Sequence, residues 1–325
     1  MKPLSLLLAL LFTSVPVLIS ALSHDKVIVL SSLSNYGSDF DGDKLTDLAT
    51  WDSQTNTLYF QFTSNNKFYQ KKFFDVPINY QPVFADYDGD GKTDFAFFHP
   101  DSGEWIINLS GSHGQQKKEF LGSIGDLPIP INIDGDGMYK PAVWRPTTSS
   151  WLLTYKDENG DEQHKVISYG NYQDSLFSAD YDGDKKTDLI AWRPDDGLWH
   201  IEKSGTDFDF NQSEHIQHGQ EWDIIVPNDY DADGRCDLAL WRKSNKTWYI
   251  KYAKDHSQNE IQFGDSDSIP ASGDIDGDSI PELIHWSPKT KKWDILNFKT
   301  QKSYTYNWNV PSGTIPAISV LQKYE

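Results

Sequence analysis

The stretch that decides the fold reads Phe84-Ala85-Asp86-Tyr87-Asp88-Gly89-Asp90-Gly91-Lys92-Thr93-Asp94-Phe95-Ala96. It places acidic side chains at positions 1, 3, 5 and 9 of a short turn, and an apolar segment follows directly. Glycine between positions 3 and 5 permits a tight turn. Carboxylates with this spacing can converge on one hard cation when the chain coils. The segment therefore predicts a metal-binding loop that leads into a β-strand.

The same turn recurs six times along the chain. The six copies, loops 1 to 6, begin at Asp39, Asp86, Asn132, Asp180, Asp229 and Asp274, at spacings of 47, 46, 48, 49 and 45 residues. Repetition at a fixed period indicates one supersecondary unit copied along an array. Asp-Gly is also common in ordinary solvated turns, so one copy would be ambiguous. Six copies in phase favour cation binding.

The candidate ligands follow from the loop positions. Position 7 can offer the cation only its main-chain carbonyl oxygen, and the side chain at position 9 completes the set of ligands. The predicted metal ligands are Asp39, Asp41, Asp43, Leu45 and Asp47; Asp86, Asp88, Asp90, Lys92 and Asp94; Asp180, Asp182, Asp184, Lys186 and Asp188; Asp229, Asp231, Asp233, Arg235 and Asp237; and Asp274, Asp276, Asp278, Ile280 and Glu282. Calcium accepts six to eight oxygens in irregular geometry, whereas magnesium demands a strict octahedron. We therefore expect about five calcium ions, with magnesium as the second choice.

Loop 3 departs from the pattern. Asn132 replaces the first aspartate, Asp134 and Asp136 remain, and Lys140 occupies position 9. Because an ammonium repels a cation, we expect this loop to bind metal weakly or not at all, with Lys140 standing in as the positive charge. Glu282, at position 9 of loop 6, is longer than aspartate but can bind a cation through both carboxylate oxygens. We therefore expect loop 6 to bind metal.

Bulk composition narrows the possible partners. The chain has 325 residues and a formal net charge of -19, and 22 of its 48 acidic residues lie in the six loops. This negative net charge argues against binding to nucleic acid, whose phosphates are contacted by Lys and Arg. It argues equally against binding to anionic membrane surfaces. Cys236 is the only cysteine, so no intramolecular disulfide forms. We expect bound metal to stabilise the fold instead. The acids around Cys236 should raise its thiol pKa and oppose a nucleophilic role.

The first residues predict export. Met1-Lys2 precedes a leucine-rich run from Leu6 to Phe12, and small residues flank Leu22. This pattern is typical of a secretory signal peptide, residues 1–23, cut after Ser23. An uncleaved membrane anchor is the alternative, although Thr13, Ser14 and Pro16 interrupt the run. We expect a secreted, periplasmic or cell-surface monomer, with residues 24–325 forming one domain and no membrane insertion after cleavage.

Two columns of large apolar residues accompany the loops. Ten of the twelve tryptophans lie in them: four residues after loop position 9 come Trp51, Phe98, Trp144, Trp192, Trp241 and Trp286, and seven residues later come Leu58, Trp105, Trp151, Trp199, Trp248 and Trp293. The segments around them alternate with period two and are apolar on both faces, which is typical of strands covered on both sides. We expect these residues to pack between neighbouring sheets; stacking on a ligand is the alternative.

Each repeat of about 47 residues holds four short strands, the count for a β-propeller blade. The sequence therefore predicts an all-β fold, a six-bladed β-propeller of four-stranded blades. Asp25–Leu30 resembles a fourth strand placed before loop 1, and Thr314–Val320 resembles a first strand with no loop after it. One of these could complete a blade with strands from the opposite terminus. A seventh blade built from the two termini alone would have too few strands.

The Phe84–Ala96 stretch and Ala191-Trp192-Arg193-Pro194 resemble FG-GAP (VCBS-type) repeats. These repeats occur in many exported bacterial proteins, and a related form builds the head propeller of integrin α subunits. The resemblance extends over the mature chain. It implies that each loop joins the first and second strands of a blade and holds one calcium. Integrin propellers have seven blades and fewer metal loops, so their mode of ligand binding does not carry over.

The residues show no catalytic motif. His215 and His218 are three apart and are expected to be solvated in a polar turn, and Gly111–Gly114 is expected to be a hairpin tip. Arg145, Arg193 and Arg242 share one column, where they could form a ring in the channel or pair with loop acids. The sequence favours a binding module for a glycan or a protein. The alternative is a polysaccharide lyase or hydrolase that uses the channel. Exposed aromatics clustered in blade grooves would favour glycan binding.

Overall fold

The protein is described here by a computed structural model, which covers residues 28–30, 38–111, 115–157, 159–317 and 321–323, with main chain only for the first and last of these segments. The predicted signal peptide, residues 1–23, lies outside the described residues, as does most of the expected hairpin tip Gly111–Gly114. No helix within the described ranges is long and apolar enough to cross a membrane.

The fold is an all-β propeller of six four-stranded antiparallel blades, as predicted. Their strands are Ile315–Pro316, Leu48–Asp52, Thr57–Phe62 and Lys67–Lys72 in blade 1; Gln81–Pro82, Phe95–Phe98, Glu104–Asn108 and Gln116–Phe120 in blade 2; Leu127–Pro128, Ala142–Arg145, Ser150–Lys156 and Glu162–Ser168 in blade 3; Ser175–Ala179, Asp188–Arg193, Leu198–Glu202 and Glu214–Gln217 in blade 4; Ile224–Ile225, Leu238–Arg242, Thr247–Lys251 and Gln258–Gln262 in blade 5; and Ile269–Gly273, Glu282–Ser287, Lys292–Asn297 and Lys302–Asn307 in blade 6. The only helical elements in these ranges are two 3₁₀ turns, Ser204–Thr206 and Phe210–Gln212.

The C-terminal segment closes the ring. Ile315 and Pro316 pair with Trp51 and Thr50, so the first strand of blade 1 comes from the far end of the chain. This confirms that one redundant terminal strand completes a blade. Closure of this kind leaves no free sheet edge at the junction of the termini.

The N-terminal strand has a different place from the one predicted. Ile28–Leu30 does not act as a fourth strand; it runs parallel to Ser175–Ala179, the first strand of blade 4, and Leu321–Lys323 adds antiparallel to it. The physical reason is that blade 6 already has its own fourth strand, Lys302–Asn307. First strands are buried and fourth strands exposed, so the first strands lie nearest the propeller axis. The two added strands therefore extend blade 4 towards that axis.

The two tryptophan columns form the core between blades. Residues of the two columns face each other across the second and third strands, for example Trp192 opposite Trp199. All are buried, with at most 2% of their surface exposed. Several indole N–H groups also find carbonyl partners; Trp192 and Trp199 both donate to the carbonyl of His218, at 3.2 and 2.8 Å. These contacts satisfy the polar end of a buried tryptophan, so the columns have a structural role.

The blades present two distinct faces. Loops 1 to 6 lead into the second strand of each blade, and the hairpins between third and fourth strands share their side of the molecule; we call this the loop face. The turns between second and third strands, and the connections from one blade to the next, form the opposite face. The expected placement of loops between first and second strands is thus confirmed for blades 2 to 6. In blade 1 the first strand comes from the C-terminus.

Candidate functional site

Carboxylates converge in five of the six loops. In loops 2, 4, 5 and 6, oxygens from positions 1, 3 and 9 lie within 4.8 Å of one another; the triads are Asp86, Asp88 and Asp94; Asp180, Asp182 and Asp188; Asp229, Asp231 and Asp237; and Asp274, Asp276 and Glu282. In loop 1 the triad is Asp39, Asp41 and Asp43, from positions 1, 3 and 5. Position 5 was expected to join every cluster. In every loop its carboxylate accepts the amide of position 7, as Asp90 Oδ1 does from Lys92 at 2.9 Å, and in loop 1 Asp43 does so while it also lies in the cluster.

The position-1 side chain shapes each loop. In loop 4, Asp180 Oδ1 accepts the amide of Gly183 at 2.7 Å, and its Oδ2 accepts the amide of Lys185 at 2.8 Å. These bonds wrap the turn around the carboxylate, and Gly183 has a φ of 82°. Glycine adopts this left-handed conformation without strain. Ala232 occupies the same place in loop 5 with a φ of 60°, so that loop carries a small strain.

In loops 1, 2, 4 and 5 the position-9 carboxylate is buried and joins three segments. In loop 4, Asp188 Oδ2 accepts the amide of Tyr181 at 2.9 Å, and its Oδ1 accepts the amide of Ser204, in the hairpin between third and fourth strands, at 2.8 Å. Burial raises the pKa of Asp188 to about 7. It likewise raises the pKa of Asp94 to about 6, of Asp47 to about 7, and of Asp237 and Glu282 to about 8. A raised pKa means that the site disfavours negative charge unless a cation is present.

The donor set of the five clusters fits a hard divalent cation. Every side-chain donor is a carboxylate oxygen, the type that calcium prefers. Asp41 Oδ1, Asp231 Oδ1 and Glu282 Oε1 are buried and have no hydrogen-bond partner among the described residues. Unpaired buried carboxylate oxygens are unfavourable, and a cation would satisfy them. In loop 6 the amide nitrogen of Asn297 approaches Asp276 and Asp278, at 3.0 and 3.3 Å, and offers them a neutral partner.

Loop 3 carries its own cation. The ammonium group of Lys140 contacts Asp134 directly and lies 3.9 Å from Asp136. Lys156 adds a second ammonium 3.2 Å from Asp136. The Lys140 side chain is almost fully buried, so its charge acts inside the loop. This geometry agrees with the expectation that lysine replaces a metal ion here, and metal binding at Asn132, Asp134 and Asp136 remains a prediction.

Neighbouring loops are joined by main-chain hydrogen bonds. The amide at position 8 donates to the carbonyl at position 1 of the preceding loop; the pairs are Thr93 to Asp39, Tyr139 to Asp86, Thr187 to Asn132, Cys236 to Asp180 and Thr46 to Asp274, at 2.6 to 2.8 Å. Position 8 of loop 6 is Pro281, which has no amide hydrogen. Five of six junctions thus carry this bond. Because position 1 is also a candidate metal ligand, four of the five candidate sites are built into a blade junction through that residue, and loop 5 is joined to loop 4 by the amide of Cys236.

The arginine column does not line a channel. Arg145, Arg193 and Arg242 each form a two-point pair with an aspartate nineteen residues earlier, in the connection that precedes the same blade; the partners are Asp126, Asp174 and Asp223. The prediction that they pair with acids is correct, but these acids lie on the opposite face and not in the metal loops. Two-point pairing explains why arginine, rather than lysine, stands here.

Two histidines and the cysteine of loop 5 can be compared with the expectations from the sequence. His215 is exposed on the fourth strand of blade 4, whereas His218 is buried, with Nε2 3.2 Å from the carbonyl oxygen of Tyr249. The expectation of two solvated loop histidines was therefore wrong for His218, because the chain turns inward between blades 4 and 5. Cys236 is buried, and burial raises its pKa well above the ordinary value, which opposes nucleophilic use.

A groove between blades 3 and 4 was not predicted from the sequence. It encloses a cavity of about 360 Å³ whose lining includes Tyr169, Asp174, Arg193, His200 and Phe210. The signal in the sequence was an irregularity: the hairpin between the third and fourth strands spans eleven residues in blade 4, against four to seven in the other blades. Phe210 lies in this longer hairpin. The insertion occurs in one blade only, so it does not appear among the features that the six repeats share.

Comparison with known proteins supports the fold. Residues 39–97, which span loops 1 and 2 and the strands between them, match the family model of the FG-GAP-like repeat. This match and the six blades confirm the FG-GAP-type resemblance. No curated protein sequence matches the chain.

Among solved structures, the chain resembles apo AztD from Citrobacter koseri, with 9% identity, 86% of this chain and 88% of that one covered, and a TM-score of 0.52. It also resembles a catalytically inactive virginiamycin B lyase from Staphylococcus aureus, solved with quinupristin, with 10% identity, 92% and 94% covered, and a TM-score of 0.50. At such identities the likeness shows the fold alone.

Proposed function

We propose that this chain is an exported, calcium-stabilised propeller that binds a glycan or a protein through surfaces away from its metal loops. A six-bladed propeller with FG-GAP repeats supports a binding or interaction module in general. The observation that carries the calcium assignment is the convergence of three carboxylates, at least one of them buried, in each of five loops at blade junctions. Catalysis rarely needs equivalent copies of one site, so the repetition favours a structural role for the ions.

The electrostatics support this role for calcium. The protein carries a formal charge of -19, and five divalent ions would offset about half of it. Each ion would also hold together the loop, the following strand and the hairpin that the position-9 carboxylate already joins. Extracellular sites of this class bind calcium with dissociation constants of about 10⁻⁴ to 10⁻³ M. Ligand at tenfold its Kd adds about 1.4 kcal/mol per site, so several sites together stabilise the fold appreciably.

Exposed apolar side chains on the opposite face support a binding role. They lie in the connections between successive blades; the set comprises Phe74, Ile78, Ile124, Tyr172 and Trp222. Trp222 is 81% exposed and has a φ of 74°. A bulky residue in the left-handed region is strained, and such strain clusters at functional sites. The strained conformation at an exposed tryptophan therefore supports a binding role for this connection.

The lyase or hydrolase alternative has less support. It would use the central channel, but the strands Ile28–Leu30 and Leu321–Lys323 extend blade 4 on the side of its first strand, towards the axis where that channel would lie. The three column arginines are also held by buried aspartates. We therefore place the function in ligand binding.

The proposal is tested on the full-length mature protein, residues 24–325. Equilibrium dialysis after chelation should return about five calcium ions per chain, and calcium should raise the melting temperature while magnesium at equal concentration raises it less. Fractionation of cells that express the whole chain should recover a product shortened by about 23 residues outside the cytoplasm. Absence of bound calcium would remove the metal assignment, and a full-length cytoplasmic product would remove export.

A further inference from the structure

The groove between blades 3 and 4 breaks the sixfold repetition of the molecule. Thr148, Ser149, Ser168 and Asn171 contribute hydroxyl and amide groups from blade 3 and its connection to blade 4. Blade 4 contributes Arg193 and His200. A volume of about 360 Å³ lies at the small end of the range for ligand sites.

An exposed aromatic ring stands at this groove and is held in place. Phe210 is 51% exposed, and its ring stacks near that of Tyr169, with centroids 6.3 Å apart and planes at 23°. The 3₁₀ turn that carries it is fixed by Asp209, which accepts the amide of Asn211 at 3.1 Å, and by Ser213, which donates to the carbonyl of Phe210 at 2.9 Å. The ring is therefore presented to solvent by a defined backbone.

The second ring is fixed as firmly. The Tyr169 hydroxyl donates to the carbonyl of His200 at 2.6 Å, and the Tyr169 amide donates to Ser149 at 2.9 Å. The first bond joins blade 3 to blade 4, and the second holds Tyr169 against blade 3. Two rings held from opposite blades form a ready platform, and little side-chain entropy is lost when a ligand stacks on them.

The same groove one blade later shows why this one is open. The residue of blade 5 that corresponds to His200 is Tyr249, whose ring packs on the guanidinium of Arg242 at 4.3 Å. In blade 4 the smaller histidine leaves room beside Arg193. His200 Nε2 is buried and has no hydrogen-bond partner among the described residues. An unpaired buried nitrogen of this kind is a group that a ligand hydroxyl could satisfy.

The charges in the groove cancel. Arg193 Nε and Nη2 bind the two carboxylate oxygens of Asp174 at 2.9 and 3.1 Å. Burial, with the nearby Arg193, lowers the pKa of His200, so this ring is neutral at physiological pH. A groove without net charge on a protein of charge -19 disfavours polyanions. Apolar rings beside hydroxyl, amide and imidazole groups suit a ligand with an apolar face and many hydroxyls.

From these contacts we infer that the groove between blades 3 and 4 is a binding site for a neutral sugar, with Phe210 stacking on the sugar face and His200 hydrogen-bonding a hydroxyl. This inference deepens the proposed function and rests on it. It assigns the ligand class to a glycan rather than a protein, and it locates one subsite.

The test uses calcium-loaded mature protein on an array of cello-, malto-, xylo- and chito-oligosaccharides, with oligogalacturonides as the charged comparison. We expect binding to at least one neutral series and none to oligogalacturonides. Titration calorimetry with the bound oligosaccharide then compares variants. Phe210→Ala removes the platform, and His200→Tyr fills the groove with the residue that blade 5 carries at this place. Both should weaken binding about tenfold or more. Phe120→Ala removes an exposed aromatic ring from the fourth strand of blade 2, outside the groove and the blade connections; it is the control and should bind as the wild type does.

The melting temperature of each variant with and without calcium separates the possible failures. If the wild type binds no neutral oligosaccharide yet is stabilised by calcium, the sugar site is wrong and the calcium-stabilised scaffold survives. If binding persists unchanged in folded His200→Tyr and Phe210→Ala, the site lies elsewhere and the inference is overturned. If the variants lose binding as expected while calcium has no effect on melting, the sugar site stands and the calcium assignment fails.

Discussion

The amide of Thr46 in loop 1 donates a hydrogen bond of 2.6 Å to the carbonyl of Asp274 in loop 6. The two residues are at opposite ends of the repeat array, so this bond closes the series of loop-to-loop bonds around the propeller. The carboxylate of Asp274 meanwhile belongs to a candidate metal cluster. If this cluster binds calcium as we propose, Asp274 couples metal binding to blade association, and loosening one should loosen the other.

The first prediction concerns the threonine at position 8. The Thr93 hydroxyl accepts the amide of Asp39 at 3.0 Å, and both groups are buried. Thr93→Val keeps the shape but leaves this amide without a partner, so the free energy of unfolding should fall by about 1 to 3 kcal/mol. Denaturant titration measures the change. Thr290→Val, at an exposed turn, is the control and should change the free energy by less than about 0.5 kcal/mol. Equal effects of the two substitutions would contradict the role of the bond.

The second prediction concerns a substitution that should remove the candidate calcium site of loop 4. Asp188 lies in the loop 4 cluster and binds the amides of Tyr181 and Ser204. Asp188→Asn keeps the size and one acceptor but lowers the charge, so equilibrium dialysis should count one calcium ion fewer per chain. The rise in melting temperature on adding calcium should shrink because one linked binding step is lost. Asp196→Asn, in an exposed turn between strands, is the charge-matched control. An unchanged ion count in Asp188→Asn would argue against a site in loop 4.

How far the sequence predicts this fold depends on which features repeat. Loop spacing, the period-two strands and the tryptophan columns determine six four-stranded blades, because each signal occurs six times and the signals agree. The strand at Ile28–Leu30 was misplaced because its partner, Ser175–Ala179, is distant in the chain and no local pattern identifies it. The burial of His218 was missed for the same reason, since Tyr249 of the next blade covers it.

In the candidate site, too, the sequence indicated the local features and missed those that depend on distant contacts. The carboxylates of positions 1, 3 and 9 lie close together in four loops because loop geometry is local, and their role as metal ligands stays a prediction. The sequence did not indicate that position 5 would also accept a main-chain amide, since that bond depends on the folded turn. The groove at His200 and Phe210 depends on an insertion in one blade and on contacts with another, and a single copy gives no periodic signal.

The third prediction concerns a double substitution that should create a metal site in loop 3. The Lys140 ammonium now occupies the carboxylate cluster and contacts Asp134. The double substitution Asn132→Asp with Lys140→Asp restores the spacing of the other loops and removes the internal cation. Dialysis should count one more calcium ion than in the wild type. Without calcium the variant should be less stable, because acids now face each other unpaired. The single substitution Lys140→Met is the control and should add no ion. Failure of the double variant to gain an ion would contradict the view that Lys140 replaces the metal.

The fourth prediction is a pH dependence of stability that arises in the core. His285 is almost fully buried between Trp241 and Trp248; its Nε2 accepts the Trp248 indole N–H at 3.2 Å, and its Nδ1 lies 2.8 Å from Ser268 Oγ. Both ring nitrogens are satisfied in the neutral form, and a second proton would point at a donor. Burial lowers the pKa of His285 to about 3, below the value of about 6.5 expected in the unfolded chain.

The sign of the effect follows from these two values. Above pH 6.5 the ring is neutral in both states and stability does not depend on it. Between pH 6.5 and about 3 the unfolded chain binds a proton that the folded protein refuses, so stability falls by about 1.4 kcal/mol per pH unit. His285→Gln is less stable at pH 7 but lacks this titration. Chemical denaturation of both proteins in saturating calcium at pH 7, 6, 5 and 4 should therefore give curves that converge as the pH falls. Parallel curves would show that the pKa of His285 is not lowered in the folded protein, because a group with equal pKa in the folded and unfolded states contributes nothing to the slope.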